Sequence, residues 1–268
     1  MRTHVSTFRG ALQVEQFKGG QSNPTYRLTA EGQHYVLRRK PPGKLLPSAH
    51  AVDREFRVIA ALGKQGFPVA KAYALCMDDA VIGAQFYIMS MEEGRVFWDP
   101  TLPSQPPEMR RAIFTSKIET LALLHSYDPE TIGLGDFGKP GNYFARQVDR
   151  WSKQYKASVA EPIPEMERLM EWLPSTVPTQ ERVSVVHGDY RLDNMIFHAT
   201  EPRVQAVLDW ELSTLGHPLA DLGYNCMMYH FGEGFGASGG YADMDLKAFG
   251  IPSEQEYLAA YARRTGRA

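Results

Sequence analysis

Two short polar segments, each placed directly after an apolar run, constrain the fold of this chain more than any other feature. The first reads His-Gly-Asp-Tyr-Arg-Leu-Asp-Asn over 187–194 and follows the apolar run 183–186. The second begins at Asp209 and follows the run 204–208. Short apolar runs bounded by turn residues are typical of buried strands, and 195–197 is a third such run. We therefore expect a strand, a loop and a hairpin that bring the polar segments together at the strand ends.

The side chains gathered in this way suit phosphoryl transfer. They are Asp189, Asn194 and Asp209. This chemistry needs a carboxylate that orients and deprotonates the attacking hydroxyl, and oxygen ligands that hold magnesium on the nucleotide phosphates. Each residue alone also has a structural explanation, as a turn residue or a helix N-cap. A two-metal hydrolase could use Asp189, Asp193 and Asp209, but it requires more carboxylate or histidine ligands than this segment offers.

The spacing resembles the catalytic and metal-binding segments of the aminoglycoside phosphotransferase branch of the protein-kinase-like superfamily. That branch has His-Gly-Asp, four residues and Asn in its catalytic loop, then an Asp-Trp or Asp-Phe on the next hairpin, and this chain matches from His187 to Asp209. The resemblance implies that Asp189 is the catalytic base and that Asn194 and Asp209 bind Mg²⁺. It also implies supporting positions for His187, which could brace the loop, and for Asp221. An ordinary acid at a helix start is the alternative for Asp221.

The order of elements predicts an α+β, two-lobed, protein-kinase-like fold. Strand patterns and one helix over 48–61 dominate the N-terminal third, and amphipathic helices are predicted over 108–126 and 142–157. We expect a small β-rich nucleotide-binding lobe over 1–91 and a larger, mainly helical catalytic and substrate lobe over 92–268. Relatives usually continue through further helices, so the end of this chain predicts a shortened or incomplete C-terminal lobe.

Two local signals refine this layout. Glu31-Gly32 lies between two strand-like runs and predicts a hairpin turn. Ser253-Glu254-Gln255-Glu256 is a capping box that predicts the start of a final helix. Local residues therefore predict one hairpin turn in the N-terminal part and one helix start near the C-terminus.

The nucleotide is expected to bind between a glycine-containing loop and a hinge. The segment Gly19-Gly20-Gln21-Ser22-Asn23 precedes the first hairpin, and glycines let backbone amides approach phosphate oxygens. Similar segments form the phosphate loop in the branch named above, although a simple turn is the alternative. Met89 and Met91 belong to a segment that would act as the hinge and offer backbone groups to adenine.

One strand departs from the kinase pattern. Alternation puts Val36 and Arg38 on one face, and Arg38 stands where kinases have a lysine. Arginine can bind two phosphate oxygens with its planar fork, so we expect Arg38 to hold phosphates. A solvated charge is the alternative. Glu55 lies at the edge of the buried stripe of the following helix and is the expected partner of Arg38.

Bulk properties exclude several classes of partner. The net charge of −2 gives no reason to expect a nucleic acid or an anionic membrane. We see no apolar window of transmembrane length and no continuous apolar core of a secretory signal. With only Cys76 and Cys226, a disulfide framework is not expected. We predict a cytoplasmic protein with a small-molecule partner, and the oligomeric state stays open.

Within the branch, the segments 94–100 and 208–216 most resemble kinase-like domains related to those fused to acyl-CoA dehydrogenases. We therefore predict an ATP- and Mg²⁺-dependent phosphotransferase that acts on a small-molecule hydroxyl, with a hydroxyacyl-CoA as the implied acceptor. A pseudokinase or scaffold is one alternative, because Arg38 replaces lysine and the chain ends early. An antibiotic kinase is another, although polycationic aminoglycosides favour a more acidic cleft. Protein-kinase activity is disfavoured because Trp210-Glu211 replaces Phe-Gly.

Overall fold

Five antiparallel strands and one helix form the N-terminal part of the computed structural model, which describes residues 1–18, 23–42, 51–139, 141–232, 234 and 239–266. The strands lie in the order β1-β2-β3-β5-β4. Their bounds are Gln13–Gln16 (β1), Thr25–Ala30 (β2), Gln33–Arg39 (β3), Ala72–Cys76 (β4) and Phe86–Ser90 (β5), and helix α1 covers Val52–Lys64.

The hairpin between β2 and β3 fixes which side chains face the site. Glu31 and Gly32 both have positive φ, 46° and 75°, the geometry of a two-residue turn that matches the twist of paired strands. The register pairs Thr25 with Arg38. Val36 joins the large core that also contains α1, whereas Tyr35 joins a smaller core on the other face, as the alternation predicted.

Helix α1 packs against this sheet through an apolar stripe that contains one acid. Val52, Val58 and Leu62 are fully buried, and Glu55 is buried among them at 1% exposure. The helix begins at Val52, and the predicted start at Ser48 lies outside the described residues. It continues past the expected end at Ala61 to Lys64. A buried carboxylate needs a hydrogen-bonding or oppositely charged partner. We therefore expect polar side chains opposite Glu55.

The rest of the chain is mainly helical, with four short strands. Strand β6 pairs with β9, and β7 pairs with β8 to form the predicted hairpin. The strands are Ser184–Val186 (β6), Met195–Phe197 (β7), Val204–Val207 (β8) and Thr214–Gly216 (β9). The helices are Pro107–Ser126 (α2), Tyr143–Ser158 (α3), Pro164–Thr176 (α4), Leu219–Cys226 (α5), Leu246–Phe249 (α6) and Glu254–Thr265 (α7).

Helix α2 is the centre of the C-terminal core. Ile113, Leu121 and Leu124 are fully buried, and α2 contacts both α7 and β6. The predicted capping box at the start of α7 is present, with Ser253 and Glu256 each accepting a hydrogen bond from the backbone of the other. Burial on this scale stabilises the helices far more than their intrinsic propensities do.

The fold class is confirmed: a small antiparallel sheet lobe precedes a helical C-terminal part. The proposed division at residue 91 stays a prediction. Helix α4 was not predicted, although Met166, Leu169, Met170 and Leu173 recur along it at helical spacing; none of its residues is buried in the fold. Within the described ranges, no helix is both long and apolar enough to cross a membrane. Cys76 and Cys226 are both free thiols.

Candidate active site

Arg38 on β3 joins the sheet to the second polar segment. Its Nη2 donates to Asp209 Oδ1 at 2.8 Å and to Glu211 Oε2 at 3.3 Å. Its Nε lies 3.2 Å from Glu55 Oε2, so the expected ion pair with α1 is present. Burial opposes the charge of Arg38, but the neighbouring Glu55 and Asp209 hold its pKa above the usual value. The guanidinium therefore stays charged and contacts three carboxylates at once.

Glu55 is satisfied by neutral donors as well as by Arg38. Asn23 Nδ2 donates to Glu55 Oε1 at 2.6 Å, and Tyr87 OH donates to Oε2 at 3.0 Å. Burial raises the pKa of Glu55, and the positive charge of Arg38 and the Tyr87 hydrogen bond only partly offset this rise. Burial also raises the pKa of Tyr87 well above its usual value, so the phenol remains a donor. This network fixes the position of Arg38 on the sheet.

His187 ties the two polar segments together. Its Nε2 lies 2.8 Å from the carbonyl oxygen of Leu208, and its Nδ1 accepts a hydrogen bond from the backbone amide of Asp189 at 3.2 Å. Burial lowers the pKa of His187 and favours the neutral ring, which donates from Nε2 and accepts at Nδ1. Because Leu208 precedes Asp209, the imidazole sets the spacing between the loop and the end of β8.

Asp221 on α5 holds the same loop from the other side. Its carboxylate accepts hydrogen bonds from the backbone amides of His187 at 2.7 Å and Gly188 at 2.9 Å. His125 Nε2 lies 3.2 Å from Asp221 Oδ2. Burial alone would raise the pKa of Asp221, but the His125 hydrogen bond and the other partners lower it. Gly188 has φ +86°, and a Cβ there would lie 3.0 Å from Leu212, so glycine suits this turn.

The Asp189 carboxylate is shared among three side chains. Asn194 Nδ2 donates to Oδ2 at 2.9 Å, and also to the Asp189 carbonyl oxygen at 2.9 Å. Tyr224 OH donates to Oδ1 at 2.9 Å. Arg191 Nε lies 3.1 Å from Oδ1 and donates to Oδ2 at 3.2 Å. The carboxylate is therefore oriented by donors on two sides.

Asn194 and Asp209 are brought together by the β7–β8 hairpin. The Leu208 amide donates to the Asn194 carbonyl oxygen at 2.8 Å, so both residues lie at the open end of the hairpin. Asp209 has a left-handed backbone with φ 62°. Both side chains line one cavity of about 370 Å³, here called the sheet-side cavity. Its remaining lining includes Asn23, Val36, Arg38, Tyr87, Met89 and Met91.

A second cavity of about 420 Å³ lies on the other side of Asp189 and is here called the helix-side cavity. Tyr224, which donates to Asp189 Oδ1, lines it together with Arg191, whereas Asn194, which donates to Oδ2, lines the sheet-side cavity. Asp189 therefore contacts the walls of both cavities. Aromatic residues dominate the wall of the helix-side cavity, among them Phe97, Trp98, Tyr190 and Tyr241.

The structure thus brings together all the predicted site residues that it describes. Gly19, Gly20, Gln21 and Ser22 lie outside the described residues, and Asn23 contacts Glu55. Sequence reasoning missed Tyr224, Arg191 and Glu211. A signal existed for Tyr224, because it lies three residues after Asp221 on one helix. Arg191 belongs to the catalytic loop sequence, but nothing in the pattern indicated that it pairs with Asp189.

A two-lobed fold with an Asp–Asn–Asp cluster between a sheet and a helical part defines a protein-kinase-like phosphotransferase. The chain belongs to the phosphotransferase enzyme family, which it matches over residues 13–263. It is 47% identical over 257 residues to mouse (Mus musculus) acyl-CoA dehydrogenase family member 10, covering 96% of this chain and 24% of that protein. The chain thus spans about a quarter of that relative. The predicted resemblance to kinase-like domains of such proteins is confirmed.

Solved structures show the same fold. A candidate aminoglycoside phosphotransferase from Ralstonia eutropha JMP134 has 54% identity and a TM-score of 0.91, covering 100% of this chain and 78% of the other. A ternary complex of aminoglycoside phosphotransferase APH(4)-Ia with AMP-PNP and hygromycin B has 15% identity and a TM-score of 0.59, covering 82% and 73%. At that identity the likeness concerns the fold alone.

Proposed function

We propose that this protein is an ATP- and Mg²⁺-dependent phosphotransferase that phosphorylates a hydroxyl group of a small molecule. The single observation that carries this proposal is the position of Asp189, which contacts the walls of two cavities through its two carboxylate oxygens. A phosphoryl transferase requires such a carboxylate between a nucleotide site and an acceptor site. The sheet-side cavity would hold the nucleotide, and the helix-side cavity would hold the acceptor.

The sheet-side cavity has the features that a nucleotide needs. Val36, Met89 and Met91 offer an apolar wall for adenine, and the hinge backbone near Met91 offers hydrogen-bonding groups. Arg38 would bind phosphate oxygens from the opposite wall. The AMP-PNP in the APH(4)-Ia complex supports an adenine nucleotide for this fold.

The oxygen atoms of Asn194 and Asp209 in the sheet-side cavity suit magnesium. With Asn194 Nδ2 donating to Asp189, the amide oxygen is the atom left for a cation, and Asp209 supplies carboxylate oxygens. Magnesium prefers such oxygen ligands and commonly shares them with phosphates. When bound, the ion would neutralise charge on the transferred phosphoryl group. Arg38, now paired with Asp209 at 2.8 Å, would then turn to the phosphates.

Asp189 would orient the acceptor hydroxyl and accept its proton as the oxygen attacks the γ-phosphorus of ATP and the bond to the leaving ADP breaks. Asn194 and Arg191 hold the carboxylate during this step, and the His187 and Asp221 hydrogen bonds keep the loop in place. Because the transition state is loose, positioning contributes more than the strength of the base.

We infer a hydroxyacyl-CoA as the acceptor class, because the relative is named as an acyl-CoA dehydrogenase family member.

The test is a mass-spectrometric assay for a product that gains one phosphate from Mg-ATP. The panel contains hydroxyacyl-CoAs, free hydroxy acids and aminoglycosides, and Asp189→Asn is the control variant. We expect turnover on a hydroxyacyl compound that the variant loses. A protein that ATP stabilises against heating, but that modifies no acceptor, would instead be a nucleotide-binding scaffold. Turnover on aminoglycosides alone would point to an antibiotic kinase.

A further inference from the structure

Lys117 on α2 is a buried cation in the wall of the helix-side cavity. Its residue is only 6% exposed, and it lines the cavity together with Tyr190, Asp193 and Tyr241. The Lys117 ammonium has no hydrogen bond or ion pair with any residue in the described part of the chain. Two aromatic rings lie near it: Nζ is 5.9 Å from the Phe114 ring centre and 5.8 Å from that of Tyr257.

Such a lysine is costly to the fold. An ammonium group carries three donors, and a buried charge without a hydrogen-bonded partner opposes folding. Two aromatic faces recover only part of the lost hydration. Burial accordingly lowers the pKa of Lys117 to about 8. A methionine at this position would fill similar space without the penalty, so packing alone does not account for the lysine.

The other charges of the cavity wall are already paired with each other. Arg191 Nη1 lies 3.1 Å from Asp193 Oδ2, and Arg191 Nε lies 3.1 Å from Asp189 Oδ1. Of the two basic residues described in this wall, Arg191 forms ion pairs and Lys117 does not. A bound anion or carbonyl oxygen would complete its coordination, whereas a cationic acceptor would be repelled.

Helix α2 is also tied to the catalytic loop at this lysine. The hydroxyl of Tyr190, which follows Asp189 in sequence, donates to the Lys117 carbonyl oxygen at 2.7 Å. Tyr190 is fully buried, so this hydrogen bond is shielded from water. The backbone of α2 at Lys117 is therefore linked directly to the residue that follows Asp189.

We propose that Lys117 binds an acyl oxygen of the acceptor, either the carboxylate of a hydroxy acid or the thioester carbonyl of a hydroxyacyl derivative. This inference rests on the proposed function, because it assigns the acceptor to the helix-side cavity. It makes Lys117 a specificity-determining residue: the acceptor hydroxyl lies at Asp189 and the acyl oxygen at Lys117. The aromatic wall then contacts the carbon chain between them.

The experiment compares Lys117→Met with the wild type on three matched acceptors. They are hydroxy fatty acids, their CoA thioesters, and alkanols of the same length that lack the acyl group. We expect KM to rise at least about tenfold for the compounds that carry an acyl oxygen, with the KM for ATP unchanged. Activity on the alkanols should stay the same. A loss confined to the free acids identifies the carboxylate as the partner, and a loss confined to thioesters identifies the carbonyl.

Lys156→Met is the matched control, since Lys156 is an exposed lysine on α3 outside both cavities. It should change none of these values. An equal loss on all three acceptors, or no loss on any, overturns the inference while leaving the proposed function intact. Equilibrium binding of the same compounds covers the reverse case. If the wild type binds them and Lys117→Met does not, but no phosphate is transferred, the proposed function fails and only the binding of an acyl oxygen by Lys117 stands. No binding and no turnover overturns both.

Discussion

The two cavities beside Asp189 differ in whether a basic residue of the wall forms ion pairs with the described residues: Arg38 does so on the sheet side, and Lys117 does not on the helix side. On the sheet side, Arg38 contacts Glu55, Asp209 and Glu211, so every one of these charges has a partner of opposite sign. On the helix side, Lys117 forms no ion pair with a described residue, and the Phe114 and Tyr257 rings lie near its ammonium. On the sheet side one arginine is shared by three carboxylates, which leaves an excess of negative charge, whereas on the helix side Lys117 has no carboxylate of the described residues within ion-pair distance.

The largest effect should come from Asp189, which contacts a wall residue of each cavity. Asp189→Asn removes the proton acceptor, so kcat should fall by about 10²–10⁴-fold while nucleotide binding persists. Steady-state kinetics and an ATP-dependent thermal shift measure the two quantities separately. Asp149→Asn, an exposed acid on α3, should leave both unchanged. Undiminished turnover by the Asp189 variant would remove this residue from the base role and with it the link between the cavities.

The second prediction concerns the ion pair between Glu55 and Arg38 on the sheet side. Glu55→Gln leaves Arg38 buried with one fewer anion, and the free energy of unfolding should fall by about 2–4 kcal/mol. The KM for ATP should rise because Arg38 is no longer held. Urea unfolding and nucleotide kinetics give the two values, with the exposed Glu15→Gln as the control. Equal stability of the variant and the wild type would mean that Glu55 is not the residue that fixes Arg38.

Glu55→Gln should lower the free energy of unfolding, whereas Lys117→Met should raise it. The pKa of Lys117 is lowered from 10.5 to about 8, so the folded state holds this proton less tightly than the unfolded state does. The penalty is complete below pH 8 and disappears as the pH rises towards 10.5, where the unfolded lysine also loses its proton. The groups facing the ammonium are Asp193, Cys226, Tyr190 and Tyr257, of which the thiol and the phenols have raised pKa values.

The methionine variant should therefore be more stable than the wild type by roughly 1–3 kcal/mol at neutral pH. This gap should narrow between about pH 8 and 10.5. Unfolding by urea at several pH values measures it. A variant less stable than the wild type at neutral pH would show that Lys117 is a structural residue, and the contrast between the two cavities would no longer hold.

The smallest effect concerns the hydroxyl that holds Asp189 from the helix side. Tyr224→Phe removes one hydrogen bond of 2.9 Å to Oδ1. The loss is worth about 1 kcal/mol, so kcat should fall by about fivefold with the KM for ATP unchanged. Single-turnover kinetics resolve a change of this size. A faster variant would indicate instead that the Tyr224 hydroxyl competes with the acceptor for the carboxylate.

Much of the fold could be predicted because its signals are local. The Glu31-Gly32 turn, the hairpin 195–207 and the cap at Ser253 each depend on a few adjacent residues. The Asp189–Asn194 hydrogen bond also follows from a short loop. By contrast, Arg38 and Asp209 meet across 171 positions, and only a resemblance to known relatives suggested that they share a site.

Lys117 shows why the rest could not be predicted. In sequence it follows Phe114 by three residues and lies beside Ile118 on a helix, where a lysine normally extends to solvent. Its burial depends on α7 and the catalytic loop, which approach α2 only in the folded molecule. Helix α4 is a different case, because Met166, Leu169, Met170 and Leu173 do recur at helical spacing and the signal was overlooked rather than absent.

The hydrogen bond from Tyr190 to the Lys117 carbonyl has a consequence for regiochemistry. The backbone positions of Asp189 and Lys117, which would bind the two ends of the acceptor, are linked through this one hydrogen bond between a loop and a helix. Movement of the sheet towards the helices during nucleotide binding would leave the separation of these points unchanged. The number of carbons between the phosphorylated hydroxyl and the acyl oxygen would then be selected by the C-terminal part of the molecule alone, whichever way the lobes close.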